Sequence, residues 1–273
     1  MTSPPQPSDA LSAPERAWAD ALAALAIPDE ILAAAPVSPH AFDVSLFRRA
    51  AAQAEEEETP SQRVAREALP LGGSVLDVGC GGGAGAMPLV PPAGRVVGVD
   101  EGAGMLEAFA ERAEERGAAH AEIQGRWPDV AGQAPTADVV VCHNVFYNVP
   151  DIGPFARALT DHARTRVVVE LGEEHPLAWM APYWKHVHGL DRPSRPTADD
   201  AITAVRSLGY DVAAERWARS WRSERSEEEL VAQVRRRLCL GPERDEQIAG
   251  LVRRYPPPSP RPLVTLWWAP PVA

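Results

Sequence analysis

Three features of this 273-residue sequence predict an α/β fold built on a doubly wound sheet. Val75, Leu76 and Val78 form a short apolar, β-branched run that ends in glycines, Gly79-Cys80-Gly81-Gly82-Gly83, as a strand buried on both faces does when it feeds a helix. Strand-like and helix-like patterns then alternate as far as Trp217. A final apolar run, Pro262 to Ala269, follows two amphipathic helical patterns. The length suits one good-sized domain with an appendage.

Residues 1–15, rich in Pro and Ser, read as a disordered tail, and residues 16–69 as an N-terminal helical cap. Within the cap, Ala17 to Ala26 spaces Trp18, Leu22 and Leu25 as a helix that Pro28 closes, and Ile31 to Ala35 suits a second. Phe42 to Glu58 carries a third helical pattern, ending in the acidic run from Glu55. Ser61 to Leu69 is a helix with Ser61 as its cap. Residues 70–273 form the sheet domain. After the glycines a helix is expected from Ala84. The next elements are a strand at Arg95 to Asp100, a helix at Gly104 to Glu115, and strands at His120 to Gln124 and Ala137 to Cys142. A helix from Asp151 to Ala163 leads to a fifth strand, Arg166 to Leu171. A lid segment, 172–196, precedes a capped helix at Thr197 to Leu208 and a sixth strand at Tyr210 to Trp217. A helical insertion, 222–258, holds Ser226 to Leu238 and Glu243 to Tyr255 ahead of the last strand.

The net charge of −11 argues against a broad phosphate-binding surface. Three cysteines, at 80, 142 and 239, have neither disulfide-framework nor zinc spacing, and a reducing cytoplasm is the expected setting. No apolar run approaches the roughly 20 residues of a membrane span, so no membrane partner is expected.

The chemistry centres on the glycine loop. Gly79, Gly81 and Gly83 let a ligand reach the main chain, with amides of the next helix facing it. Gly79-x-Gly81-x-x-Ala84 also satisfies the dinucleotide fingerprint, so the neighbouring acids decide. Asp77 puts a carboxylate inside a buried strand, which is costly unless it is hydrogen-bonded or serves a cationic ligand. Asp100 closes the second strand at the distance expected of a carboxylate that accepts both hydroxyls of a ribose.

With these residues the chain resembles the class I S-adenosylmethionine-dependent methyltransferases. Their first motif, a hydrophobic pair, an acid, a hydrophobic residue and Gly-x-Gly-x-Gly, is met in full from Val75 to Gly83. The resemblance implies a Rossmann-like, seven-stranded sheet whose last strand is antiparallel. It implies S-adenosyl-L-methionine as cofactor, S-adenosyl-L-homocysteine as product, and in-line transfer of a methyl group to an O, N, S or C nucleophile of a small organic molecule. Cofactor contacts are then expected from Asp77, Gly79, Cys80, Gly81 and Gly83, and from Asp100, Glu101 and Met105. Gly125, Arg126 and Trp127 follow after the third strand, and Cys142, His143 and Asn144 after the fourth. Related enzymes commonly carry an acid where Arg126 stands, to accept from the adenine amine. Arg126 cannot accept, which leaves adenine to backbone groups and to stacking on Trp127, unless Trp127 packs under the loop.

The run from Cys142 to Asp151 resembles the family's fourth motif. His143 and Tyr147 are the candidate catalytic proton acceptors, against the reading of His143 as hydrogen-bonded structure. Tyr147, His175, Trp179, Tyr183 and Trp184 are expected to line a substrate pocket; the alternative is a packed connection whose aromatics anchor the lid. His175, His186 and His188 come with no ligand carboxylates, so no metal is expected. Arg235, Arg236 and Arg237 read as a solvated helix face.

Two rival functions remain at this stage. A reductase using NAD(P) explains the glycines and Asp100, but not Asp77, the fourth motif or the last strand. A non-catalytic S-adenosylmethionine-binding protein is the other, and Arg126 lends it support. The expected partner is a small-molecule methyl acceptor rather than nucleic acid, since the chain is acidic and lacks the Asp/Asn-Pro-Pro-Tyr/Phe run of amino-directed DNA methyltransferases. Monomer and homodimer both stay open.

Overall fold

A computed structural model describes residues 11–39, 58–219 and 226–271. Its strands are β1 (Ser74–Val78), β2 (Arg95–Asp100), β3 (Ala119–Gln124), β4 (Ala137–His143), β5 (Ala163–Gly172), β6 (Ala213–Arg219) and β7 (Arg261–Trp268). They form one sheet in the order β3-β2-β1-β4-β5-β7-β6. The first five run parallel, while β7 is antiparallel to both β5 and β6. The order reverses between β1 and β4, and in an open α/β sheet that switch opens a ligand crevice at the carboxyl ends of the strands.

The period-two alternation of the central strands divides the core. Leu76, Val78, Val140, Cys142 and Val169 point to one face, Val75, Val139, Val141 and Val168 to the other. The first face is covered by α1 (Ala13–Ala23), α5 (Ile152–His162) and α7 (Ala198–Ser207), which supply Trp18, Leu159 and Val205. The second is covered by α3 (Pro60–Ala68) and α4 (Ala103–Glu115), with Val64 and Phe109. The remaining described α-helices are α2 (Asp29–Ala33), α6 (Ala181–His188), α8 (Glu227–Arg237) and α9 (Asp245–Arg254). Among the described residues no helix is long and apolar enough to cross a membrane.

Several expectations change. No α-helix starts at Ala84: turns lead into a single 3-10 turn at Met87–Leu89. Pro88 lacks the N–H that would bond back to Ala84, and Pro91 disfavours the helical conformation at Val90, so the segment closes only short turns, with Met87 N–H to the Gly83 carbonyl at 3.0 Å, Leu89 to Ala86 at 2.9 Å and Val90 to Met87 at 3.1 Å. Ser61 is not a cap. Thr59 caps α3 in a reciprocal pair with Gln62, and the buried Ser61 hydroxyl instead bonds Glu170 at 2.6 Å and Thr265 at 2.7 Å. Ala13 to Glu15, read as tail, already lie in α1, because Ser12 and Glu15 form a capping box. The helical pattern at Phe42 to Glu58 lies outside the described residues, except for Glu58. Within the lid segment, α6 forms ahead of a left-handed Gly189 cap. Together with α8 and α9 it builds a separate small core of Tyr183, Trp184, Val231, Val234, Ile248 and Leu251.

The first helix is bolted to the sheet layer rather than draped over it. Trp18 is fully buried, stacks on Tyr147 at 5.6 Å and donates its indole N–H to the Val149 carbonyl at 2.7 Å. Trp18→Phe keeps most of the apolar contact and leaves that carbonyl without its donor. It should lower unfolding free energy by about 1 kcal/mol, read by urea titration.

Candidate functional site

The carboxyl ends of β1, β2, β4 and β5 open into a cleft of about 1370 Å³. At one end stands Asp77, 1 % exposed, with Oδ2 accepting the Ala86 N–H at 3.0 Å. Burial raises its pKa to about 7, against the lowering effect of that hydrogen bond, and the nearby Asp100 charge adds to the rise. Above it the chain turns through Gly79, whose φ of 72° belongs to the left-handed region.

Four of the loop amides are spent inside the protein. Gly79 and Cys80 both donate to the Val99 carbonyl, at 2.8 and 3.0 Å, and Gly83 donates to Cys80 at 2.8 Å. The Gly81 N–H goes to Asp100 Oδ2 at 2.9 Å, while Asp100 Oδ1 accepts from Gly102 at 2.9 Å. Each Asp100 oxygen keeps lone-pair capacity for a ligand hydroxyl. No α-helix starts directly behind the loop, so no helix N-terminus aims a row of N–H donors at an anionic group there. What faces the cleft is acid: Asp77, Asp100 and Glu101.

The cleft brings together Gly79, Cys80, Gly81, Met105, Gly125, Arg126 and Trp127 with those acids, and His143, Asn144, Tyr147, His175 and Trp184 further along. Four expected residues lie elsewhere. Gly83 turns away from the cleft, towards Met87 and Phe109. Cys142 is fully buried in the sheet core. Tyr183 is buried in the small core, donating its hydroxyl to the Tyr255 carbonyl, and Trp179 packs edge-on against it at 5.3 Å. Those two aromatics anchor the lid.

Trp127 sits between the cleft and the core. It borders the cleft and packs edge-on against His162 at 5.0 Å, and its indole nitrogen is buried with no partner. Arg126 is exposed at the rim. His143 pairs in register with Glu170 on β5. Its Nε2 is buried and unpartnered, and burial holds its pKa below the ordinary histidine value, with Arg219 pushing the same way and Glu170 opposing. A neutral imidazole with a free nitrogen at a cleft wall can take a proton. Tyr147 cannot act so: its hydroxyl donates to the Gly172 carbonyl at 2.9 Å, and burial beside Asp200 and Glu174 pushes its pKa up. Of the lid histidines, His186 and His188 bond the Pro182 and Leu238 carbonyls at 2.7 and 2.8 Å. His175 lies against Tyr147 at 5.2 Å and is held at about 4, first by burial and then by Arg192, Arg237 and Arg261. Among the described residues no group of three His, Cys, Asp or Glu is placed to hold a metal ion.

Glu170 and Arg261 were missed in the sequence. Glu170 carried a signal, an acid inside the apolar strand Arg166 to Leu171, of the same kind that singled out Asp77. Arg236 and Arg237, read as solvated, line the cleft, and Arg235 pairs with Asp245 at 2.9 Å.

Sheet order, antiparallel β7, the glycine turn and the acid closing β2 together define the class I S-adenosylmethionine-dependent methyltransferase fold. Comparison with known proteins agrees. Residues 75–165 match the family model described as methyltransferase domain. It is 36 % identical over 165 residues to a ubiquinone biosynthesis O-methyltransferase of Azorhizobium caulinodans, covering 55 % of this chain and 63 % of that one. A protein of the same name from Rickettsia felis is 27 % identical over 166 residues, covering 52 % and 66 %. The chain thus spans just under two thirds of the length of these relatives. Among solved structures, a cyclopropane-fatty-acyl-phospholipid synthase-like protein from Lactobacillus casei shares the fold at a TM-score of 0.55 and 15 % identity, over 88 % of this chain and 98 % of that one. The YcgJ protein of Bacillus subtilis does so at 0.52 and 14 %, over 78 % and 99 %.

Proposed function

We propose that the protein is an enzyme that transfers a methyl group from S-adenosylmethionine to a nucleophilic atom of a small organic molecule. The observation that carries this reading is the acidic loop end of the cleft, with no α-helix N-terminus directly behind it. Asp77, Asp100 and Glu101 suit a ligand with hydroxyls and positive charge, whereas the pyrophosphate of a nicotinamide dinucleotide needs free amides at a helix start. That contrast disfavours the reductase.

When bound, the cofactor supplies a methyl group already activated by its positive sulfur. In this reading Asp100 holds the ribose, and Gly79, Gly81, Met105 and Trp127 shape the walls around the nucleoside. The lid segment with Trp184 and α1 narrows access from solvent, and alignment with exclusion of water contributes several powers of ten in rate. His143 takes the proton that the acceptor loses as its bond to the methyl carbon forms, with Glu170 beside it to favour the imidazolium. Asn144 and His175 face the same space. The 36 % identity to an O-methyltransferase supports an oxygen nucleophile as the first to be tried.

Calorimetric titration with S-adenosylhomocysteine and with NADH tests the reading. S-adenosylhomocysteine should bind and NADH should not. Asp100→Ala should weaken the former by about 10- to 100-fold, the worth of a charge-assisted hydrogen bond at 1.5–3 kcal/mol. Binding of NADH alone would overturn the methyltransferase reading.

A further inference from the structure

A chain of hydrogen bonds runs behind the cleft wall and ends on Glu170. Trp217 of β6 donates its indole N–H to the Thr265 hydroxyl of β7 at 3.0 Å. Thr265 and the Ser61 hydroxyl of α3 stand 2.7 Å apart, and Ser61 reaches Oε2 of Glu170 on β5 at 2.6 Å. Ser61, Thr265 and Glu170 are all buried, so each of their protons needs an acceptor inside the protein. The polarity of the chain follows from what each group can give. An indole N–H only donates, and a hydroxyl has one proton to offer. Among the described residues Thr265 has no acceptor other than Ser61, which leaves the Ser61 proton for Glu170. Oε2 of Glu170 is thereby fixed as an acceptor, and a proton on this carboxyl has only Oε1 to sit on.

Glu170 also borders the cleft. It pairs in register with His143 across the parallel strands β5 and β4, which sends both side chains off the same face of the sheet. Asn144, one residue on, turns through the left-handed region at a φ of 61° and donates its N–H to the Glu170 carbonyl at 2.6 Å, holding the end of β4 against β5. The charges acting on His143 are Glu170, which favours the imidazolium, and Arg219 of β6, which opposes it. Arg261 of β7 acts in turn on Glu170. Arg192 of the lid segment and Arg236 and Arg237 of α8 complete this arginine-lined end of the cleft. From α3 the group that meets Glu170 is the uncharged Ser61.

We propose that Ser61 is a positioning residue for methyl transfer: its hydroxyl, whose proton has no other acceptor, holds Glu170 as the carboxylate that steadies His143 once His143 has taken the acceptor's proton. This rests on the methyltransferase reading above and deepens it. As the acceptor's bond to the methyl carbon forms, the acceptor's proton passes to His143, and the positive charge that leaves the sulfonium reappears on the imidazolium beside Glu170. A donor on Oε2 favours the charged carboxylate and fixes its plane, while Oε1 takes no hydrogen bond from the described residues. The helix α3 is thus tied to the chemistry as well as to the core.

The test needs no acceptor. The whole protein, carrying isotope-labelled histidine and bound to S-adenosylhomocysteine, is titrated by NMR, and the signal lost in His143→Gln identifies His143. Glu170→Gln should lower the His143 midpoint by about one pH unit or more, since the imidazolium loses a neighbouring negative charge. Ser61→Ala should lower it by at least about 0.5 unit, because a buried carboxylate without its donor competes for the proton. In the Glu170→Gln background the same Ser61→Ala change should move it by about 0.1 unit or less, as Ser61 acts only through Glu170. Thr265→Val is the structural control. It breaks the chain behind Ser61 and spares the bond to Glu170, so it should lower the melting temperature and leave the midpoint in place. A midpoint unmoved or raised by Ser61→Ala, or shifted as much by Thr265→Val, overturns the proposal, and so does a midpoint that Glu170→Gln leaves unchanged. Failure of the unmodified protein to bind S-adenosylhomocysteine, with these shifts intact, sinks the methyltransferase reading instead and leaves a coupled unit of Ser61, Glu170 and His143.

Discussion

Asp77→Asn should make the ligand-free protein more stable at pH 8, by about 4 kcal/mol, while weakening cofactor binding. The carboxyl is raised from 3.8 to about 7 in the folded chain, chiefly by burial. The native state therefore holds this proton more tightly than the unfolded chain does. Its contribution to stability is fully present below about pH 3.8 and is lost as the pH climbs through about 7. About three pH units at 1.36 kcal/mol each give the quoted size. Asparagine keeps an acceptor for the Ala86 N–H and carries no charge to bury. Scanning calorimetry at pH 5 and pH 8 should show the gap between variant and parent widening with pH, towards roughly 10 °C at the higher value. The difference isolates this residue from Asp138 and Asp200, whose pKa values are lowered and whose contributions run the other way. A gap that stays constant across the range would mean that Asp77 is already ionised at pH 5. The residue is then a stability cost held for function, as at many ligand sites.

That cost is what made the site legible. A carboxylate between Leu76 and Val78 has no structural excuse in a buried strand, so the sequence alone located the loop end of the cleft. The central strands were equally open to reading, because β-branched runs buried on both faces leave little choice of conformation; the edge strands β3 and β6 are more exposed, yet all seven appear within a few residues of where the pattern placed them. The arginine end was hidden for a different reason. Arg192, Arg219, Arg236 and Arg261 are scattered over four elements, and only β7 returning between β5 and β6, with α8 folded over the lid helix, collects them. Helical periodicity could not separate Arg235, turned to Asp245, from Arg236 and Arg237, turned inward, since three consecutive residues span most of a helical turn. The missing helix after the glycines was written in Pro88, Pro91 and Pro92, against the strand–glycine–helix pattern that placed a helix from Ala84. Trp179 and Tyr183 show the same limit from the other side: an aromatic cluster after a strand fits a pocket wall and an anchor alike, and only the packing of α8 and α9 decides.

Gly79→Ala should cost about 2–5 kcal/mol of stability and abolish detectable cofactor binding. Two penalties add. An alanine held at a φ of 72° loses about 1–2 kcal/mol to its own backbone. The added Cβ would also stand 2.3 Å from Cγ2 of Val145, in the loop that leaves β4. Valine is stiff at χ1, so relief requires that loop or the glycine turn to move, at a typical overpacking cost of about 1–3 kcal/mol. Either movement displaces the wall that carries Asn144 and His143. Gly72 provides the control, because its φ of 73° is nearly the same and nothing lies within 4 Å of its missing Cβ. Gly72→Ala should therefore show the backbone penalty alone and leave S-adenosylhomocysteine binding intact. The double variant Gly79→Ala/Val145→Ala removes the clash and keeps the strained backbone. Urea unfolding should return it to within about 2 kcal/mol of Val145→Ala, giving a coupling of about 1–3 kcal/mol between the two positions. Zero coupling would mean that the β1 turn and the β4 loop do not touch, and that the two halves of the cleft are not held to one another across the switch point.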